Sequence, residues 1–168
     1  MEDVIINKVA ESGIVTIDLE EFYPKGEILS IDIKDFLFMG MILKEKDFRN
    51  ALQNKNWEEY RDKYVGITCS VDAIIPRWAY MLIATYLRPV AKGYAVGDRQ
   101  TVINTIFTRT IAAIDPKEYE DKRIVIKGCG DVDITETAYL EITNLLLPYV
   151  KSIMYGEPCS TVPVFKKK

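Results

Sequence analysis

The sequence contains no histidine among its 168 residues. This absence excludes Ser-His-Asp and Cys-His catalysis, together with every metal site that uses an imidazole ligand. Cysteine is also scarce, with Cys69, Cys129 and Cys159 alone and no CxxC pair. An odd number of cysteines argues against a disulfide framework and favours free thiols or metal ligands.

Long apolar runs are absent too. No segment approaches the roughly 18 uninterrupted apolar residues of a membrane-spanning helix, so we expect no membrane partner. The opening residues MEDVIINKVAES carry acids where a signal peptide has a basic region, which predicts a cytoplasmic protein. The net charge of −3 argues against nucleic acid as a partner. Length and the 48% hydrophobic content are typical of one globular domain over residues 1–168.

The first 60 residues read as a hairpin followed by a helix. GIVTIDLEEF and EILSIDIK each alternate apolar and polar residues, the period of a half-buried strand. YPKG between them has proline and glycine at the spacing of a turn. We therefore predict an N-terminal β-hairpin with Ile17 and Ile31 facing the core, and a helix over KEKDFRNALQ.

Residues 61–168 alternate between apolar strands and amphipathic helices of 10 to 15 residues. This alternation predicts an α/β fold, with a mainly parallel sheet and helices on both faces in a three-layer, Rossmann-like arrangement. TVPVF near the end is typical of an edge strand, because Pro163 cannot donate to a neighbouring strand. The first helix of this region, PRWAYMLIATYLRP, is expected to bury one apolar face, formed by Trp78, Met81, Leu82 and Tyr86.

Two stretches of the same region resemble each other in sequence. Residues 79–99 and 138–158 align without gaps, with matches that include Tyr80 with Tyr139 and Pro89 with Pro148. Ordinary composition gives roughly one or two matches over such a length. We therefore interpret residues 61–168 as a duplicated βαβ core, while noting that two amphipathic helices always share some likeness.

The cysteines lie at the predicted carboxyl ends of strands. Ligands bind at this edge of an open parallel sheet, and Asp72, Asp98, Asp131 and Glu157 are expected there as well. Asp98 is explained as a helix N-cap, and Asp133 with Glu136 fits a capping box. The candidate metal ligands are therefore Cys69, Cys129, Cys159, Asp131 and Glu157. The alternative is that each cysteine only fills space in the core.

Three chemistries fit this edge to different degrees. Thiolates with a carboxylate can hold Fe, an Fe–S cluster or Zn²⁺. A thiolate activated at a helix N-terminus can act as a nucleophile, although the neighbouring acids oppose its ionisation. Phosphate binding ranks last, because no GxGxxG or GxxxxGK[ST] motif is present.

A resemblance to a known protein family rests on four segments: KEKDFR, ITCSVDAIIPRWAYML, IVIKGCGDVD and GEPCSTVPVFKKK. Over essentially its full length the chain resembles the bacterial domain-of-unknown-function family number 2480. That family has no established activity, so no catalytic residue is carried over. Its genes often lie beside sulfur-mobilisation genes, which implies iron–sulfur assembly proteins as partners.

Three functions follow from the sequence. The first is an accessory factor of iron–sulfur cluster or metal metabolism that acts through its thiolates. The second is a non-catalytic protein-interaction module with structural cysteines, and the third is a thiol-dependent enzyme. A homo-oligomer is compatible with all three.

Overall fold

The structure is a computed structural model that describes residues 13–128, 130–157 and 160–168. These residues form seven β-strands and four α-helices in an alternating order. Their bounds are β1 Ile14–Asp18, β2 Ile28–Asp32, α1 Glu45–Asn54, β3 Tyr64–Thr68, α2 Arg77–Leu87, β4 Gly93–Val96, α3 Arg99–Ala112, β5 Arg123–Lys127, α4 Glu136–Leu146, β6 Ser152–Glu157 and β7 Ser160–Lys166.

The strands are divided between two sheets. One has the order β1-β5-β6-β7 and the other the order β2-β3-β4. Every neighbouring pair is parallel except β6 with β7, which is antiparallel. The α/β class and the mainly parallel, Rossmann-like strand arrangement are therefore confirmed. None of the helices in the described part of the chain has the length and apolarity needed to cross a membrane.

The predicted N-terminal hairpin is wrong. Strand β1 pairs with β5 and β2 pairs with β3, so the two strands belong to different sheets. After each strand the chain turns into a short 3-10 helix, Leu19–Phe22 or Ile33–Phe36. The alternating pattern did identify both strands, and Ile17 and Ile31 are each only 3% exposed. Alternation indicates a buried face but carries no information about which strand lies alongside.

The chain forms two compact units, each with its own core. Residues Pro24–Ile106 form the continuous unit, and Met1–Tyr23 with Phe107–Lys168 form the split unit. The fully buried side chains of the continuous unit include Ile33, Phe48, Leu52, Val65, Ile83 and Leu87. Those of the split unit include Leu19, Ile111, Ile124, Ile142, Leu146 and Ile153.

Each unit contains a parallel βαβ segment, β3-α2-β4 in one and β5-α4-β6 in the other. Asp62 and Asp121 precede these segments at equivalent positions, and both have positive φ angles of 58° and 57°. Their backbone N–H groups donate to equivalent carbonyls, Val90 at 3.0 Å and Tyr149 at 2.9 Å. The sequence likeness therefore coincides with a likeness in backbone conformation and hydrogen bonding.

Candidate functional site

The carboxyl ends of β1, β5 and β6 bring charged side chains together at one edge of the split unit. Asp18 ends β1, Lys127 ends β5, and the two residues are opposite each other in the register. The Lys127 Nζ atom lies 3.0 Å from Asp18 Oδ2 and 4.0 Å from Glu157 Oε1. The edge therefore carries a lysine held between two carboxylates.

This arrangement fixes the protonation state of Lys127. The hydrogen bond to Asp18 and the charge of that carboxylate raise the pKa of the lysine, and Glu157 and Glu20 add to the effect. An amine acts as a nucleophile or a base only when its pKa is lowered. Lys127 is therefore suited to holding charge and not to covalent chemistry.

Two glycines of the loop after β5 allow close approach by neighbouring side chains. The Tyr139 hydroxyl donates to the Gly128 carbonyl at 3.1 Å, and a Cβ at Gly128 would lie 2.7 Å from that hydroxyl oxygen. A Cβ at Gly130 would overlap the Glu20 carboxylate. A larger residue at either position would therefore require the Tyr139 or Glu20 side chain to move.

The five predicted metal ligands are only partly placed. Cys129 and Cys159 lie outside the described residues, so the expected approach of the three sulfurs stays a prediction. Asp131 is exposed in the loop before α4, and Glu157 lies beside Lys127. Cys69 belongs to the continuous unit, where its half-buried thiol donates to the Val71 carbonyl at 3.4 Å.

The described residues contain no assembled metal site. Within residues 13–128, 130–157 and 160–168, no three Cys, Asp or Glu side chains are grouped so that they could hold a metal ion. Asp98 has the structural role predicted for it, because its Oδ1 atom accepts from the N–H and hydroxyl of Thr101 at 2.9 and 2.7 Å. The predicted capping box is wrong, since α4 has Thr135 as its N-cap residue without a side-chain hydrogen bond.

An apolar groove lies between α4 and the sheet of the split unit. Its volume is about 540 Å³. The side chains around it are contributed by α4 and by strands β5, β6 and β7: Ile126, Glu136, Tyr139, Leu140, Thr143, Ile153, Met154, Tyr155 and Val164. Leu140 is 64% exposed and Val164 is 56% exposed, although both are large apolar residues.

The exposed apolar surface extends beyond the groove itself. Val162, opposite Tyr155 on the neighbouring strand, is 61% exposed. The Tyr139 and Tyr155 rings meet edge to face at 5.6 Å between centroids. We call this surface, from Leu140 across the two tyrosines to Val162 and Val164, the α4–β7 groove. Exposed apolar patches of this kind mark binding surfaces.

Sequence reasoning missed this groove, although two signals of it were available. Helix α4 buries Ala138, Ile142 and Leu146, so Leu140 falls off the buried face of the helix. Val162 and Val164 are apolar although the proline between them already indicated an edge strand. On α2, Met81 was expected in the buried face and is 69% exposed, because Ala79, Ile83 and Leu87 form that face.

A second cavity occupies the equivalent position of the continuous unit. Its volume is about 610 Å³, and Arg77, Tyr80 and Val96 line it at the positions that correspond to Glu136, Tyr139 and Tyr155. Cys69 and Asp72 are also in its lining. The larger polar share of this lining makes it a weaker apolar binding surface than the α4–β7 groove.

Comparison with known proteins gives one match. No curated protein and no solved structure matches the chain significantly. A family model matches residues 3–167, which is nearly the whole chain. This chain therefore belongs to the family described as "Protein of unknown function (DUF2480)".

Proposed function

We propose that this protein is a non-catalytic interaction module whose α4–β7 groove binds an apolar segment of a partner protein with basic residues at one end. The exposure of Leu140, Val162 and Val164 around one groove is the observation that carries the proposal. Covering a leucine-sized side chain contributes about 1.5–3 kcal/mol. Covering several of them therefore makes a favourable contribution to the free energy of binding, which offsets part of the entropic cost of association.

The charge around the groove indicates the chemistry of the partner. Glu136 lines the groove, and Glu157 ends the strand that forms part of its floor. Asp131 and Asp133 are exposed in the loop that leads into α4. The nearby Lys127 is already held in an ion pair within the unit. Lysine or arginine residues at one end of the bound segment would complement this acidic rim.

The structure of β7 favours binding on the face of the sheet over strand addition at its edge. Pro163 lacks an N–H group, and the pairing of β6 with β7 is interrupted by a register shift at Ile153/Met154. Both features, with Lys166 at the end of the strand, are known to protect sheet edges from pairing. A partner therefore gains more binding free energy by covering the apolar groove than by pairing with the edge of β7.

Selection of peptides from a random display library on the immobilised full-length protein tests the proposal. We expect the selected peptides to combine apolar residues with lysine or arginine at one end. Leu140→Glu should weaken their binding by about 10–100-fold, because it removes the apolar contact of one leucine. Met81→Glu is the matched control, since Met81 is the equivalent exposed residue on α2.

Two results would contradict this proposal. One is an equal loss of peptide binding in the Leu140→Glu and Met81→Glu variants. The other is a wild-type dimer, measured by light scattering, that dissociates in Leu140→Glu, because a second copy would then be the occupant. Circular dichroism of both variants checks that each substitution leaves the fold intact.

Thiolate binding of Fe, an Fe–S cluster or Zn²⁺ in iron–sulfur or metal metabolism is the second candidate. Gly128 and Gly130, the sequence neighbours of Cys129, lie at the carboxyl edge of the split unit, where β6 ends at Glu157. Thiolates are the ligands that these metals prefer. This hypothesis needs Cys129 and Cys159, which lie outside the described residues.

Anaerobic purification followed by metal analysis tests the second candidate. We expect stoichiometric Fe or Zn²⁺ that is lost when Cys129 or Cys159 is replaced by serine and retained in Ser70→Ala. A metal-free wild-type protein would rule the site out. Rapid alkylation of a single thiol at neutral pH would instead favour the thiol-dependent enzyme.

A further inference from the structure

A basic cleft lies at the opposite edge of the same sheet, where β5 and β6 begin and β7 ends. Its volume is about 610 Å³. Five cationic residues line it: Arg123, Lys151, Lys166, Lys167 and Lys168. Asp121 is the one acidic residue in this lining, which also contains Ser152 and the apolar residues Ile14, Met154, Pro163 and Phe165. The cluster stands out in a chain whose net charge is −3.

Cationic residues outnumber acidic residues in the lining of the cleft by five to one. In the part of the chain that the structure describes, none of the five forms an ion pair with a carboxylate. Elsewhere the protein does pair its lysines, as Lys55 with Glu59 at 2.6 Å and Lys63 with Glu27 at 3.0 Å. All five cationic residues are exposed and share the lining with one acid, Asp121, so the described part of the cleft presents a net positive charge to solvent.

The backbone at this edge contributes little to anion binding. The N–H groups of Asp121, Lys151 and Lys167 donate to the carbonyls of Tyr149, Lys122 and Lys151 at 2.8–2.9 Å. Recognition therefore depends on side-chain ammonium groups on flexible stems. Such groups suit an extended ligand with several negative charges better than one phosphate held in a fixed ring of donors.

We propose that the basic cleft binds an acidic segment of a partner protein. Its several separate positive charges match a row of carboxylates, and the apolar floor accepts the aliphatic parts of such a segment. Nucleic acid is a poorer match, since Phe165 is half-buried against the core of the unit and the cleft has a single arginine. The proposal is independent of the α4–β7 groove.

Fluorescence anisotropy with labelled decaglutamate tests this site on the full-length protein. We expect binding that is lost in 1 M salt, where the Debye length is about 3 Å. The triple variant Lys166→Glu, Lys167→Glu, Lys168→Glu should bind about tenfold or more weakly, because attraction becomes repulsion. The control carries the same charge change at three exposed lysines of the continuous unit, as Lys25→Glu, Lys34→Glu, Lys46→Glu.

Further variants and probes make each outcome decisive. The pair Arg123→Gln and Lys151→Gln removes charge without adding acids, and should also weaken binding. Equal weakening in the control triple variant, or an absence of binding, overturns the proposal. Tighter binding of a single-stranded oligonucleotide assigns the cleft to nucleic acid, and tighter binding of inorganic tripolyphosphate assigns it to small phosphates. Unchanged decaglutamate binding by Leu140→Glu would separate this site from the groove.

Discussion

At the residue scale, carboxylates at strand ends of this protein have structural roles. Asp18 and Asp32 end β1 and β2, and the side chain of each accepts from the backbone N–H two residues later, at 3.1 and 3.0 Å. Asp32 also accepts from the Ser70 N–H at 3.0 Å. These bonds begin the short helices that follow the strands. An aspartate at the carboxyl end of a parallel strand is therefore not by itself evidence of a metal site.

We expect Asp32→Ala to lower the free energy of unfolding by about 1 kcal/mol, the typical effect of losing an N-cap. The hydrogen bond from the Ser70 side chain, followed by those from the Lys34 and Ser70 N–H groups, lowers the pKa of Asp32. This contribution is therefore complete above the unfolded pKa of about 3.9 and is lost as the pH falls through the lower folded value.

Urea unfolding of the wild type and Asp32→Ala between pH 7 and pH 2 measures this difference. It should be largest at neutral pH and should shrink in acid. Asp35→Ala, an exposed substitution in the same short helix, is the control and should have little effect. A difference that grows as the pH falls would contradict the assignment.

At the element scale, α2 and α4 bury equivalent faces. Of the face predicted for α2, Trp78, Leu82 and Tyr86 are partly buried against the core, and Met81 is exposed. On α4 the buried residues are Ala138, Ile142 and Leu146, which are four residues apart. On α2 nearly every residue is apolar, so the sequence does not distinguish the fully buried face from the neighbouring one that was predicted. The sheet instead accepts the smaller face that begins with Ala79, because a small residue lets a helix pack closely.

The difference between buried and exposed positions on α2 and α4 leads to a paired prediction. Ile83→Ala and Ile142→Ala should each lower the free energy of unfolding by about 2–5 kcal/mol, because both side chains are fully buried. Met81→Ala and Leu140→Ala should each change it by less than about 0.5 kcal/mol, since both residues are exposed. Chemical denaturation measures all four variants. A larger loss of unfolding free energy for Met81→Ala than for Ile83→Ala would show that the predicted face containing Met81 is the buried one.

At the scale of the whole molecule, the sequence predicts the class of the fold but not its division into two sheets. The spacing of apolar residues in strands and helices is a local property of the sequence. It predicted strands β1 and β2 and the alternation of strands and helices over residues 61–168. The partner of β1 is β5, more than 100 residues later in the sequence. That pairing depends on long-range packing. The same local reasoning predicted a strand that ends shortly before Cys129, as β5 does at Lys127, but it did not predict the ion pair of Lys127 with Asp18.

Amide hydrogen exchange should report this division directly. Strand β3 is the central strand of one sheet, and β5 lies inside the other, so each has hydrogen-bonded neighbours on both sides. Residues 64–67 of β3 and residues 124–126 of β5 are also buried. We therefore expect two separate sets of slowly exchanging amides, in β3 and β5, and much faster exchange in the outer strand β7. Native-state exchange followed by mass spectrometry of peptides measures all three strands in one experiment. A single slow set confined to one strand, or protection in β7 equal to that in β5, would contradict the two-sheet arrangement as the basis of stability.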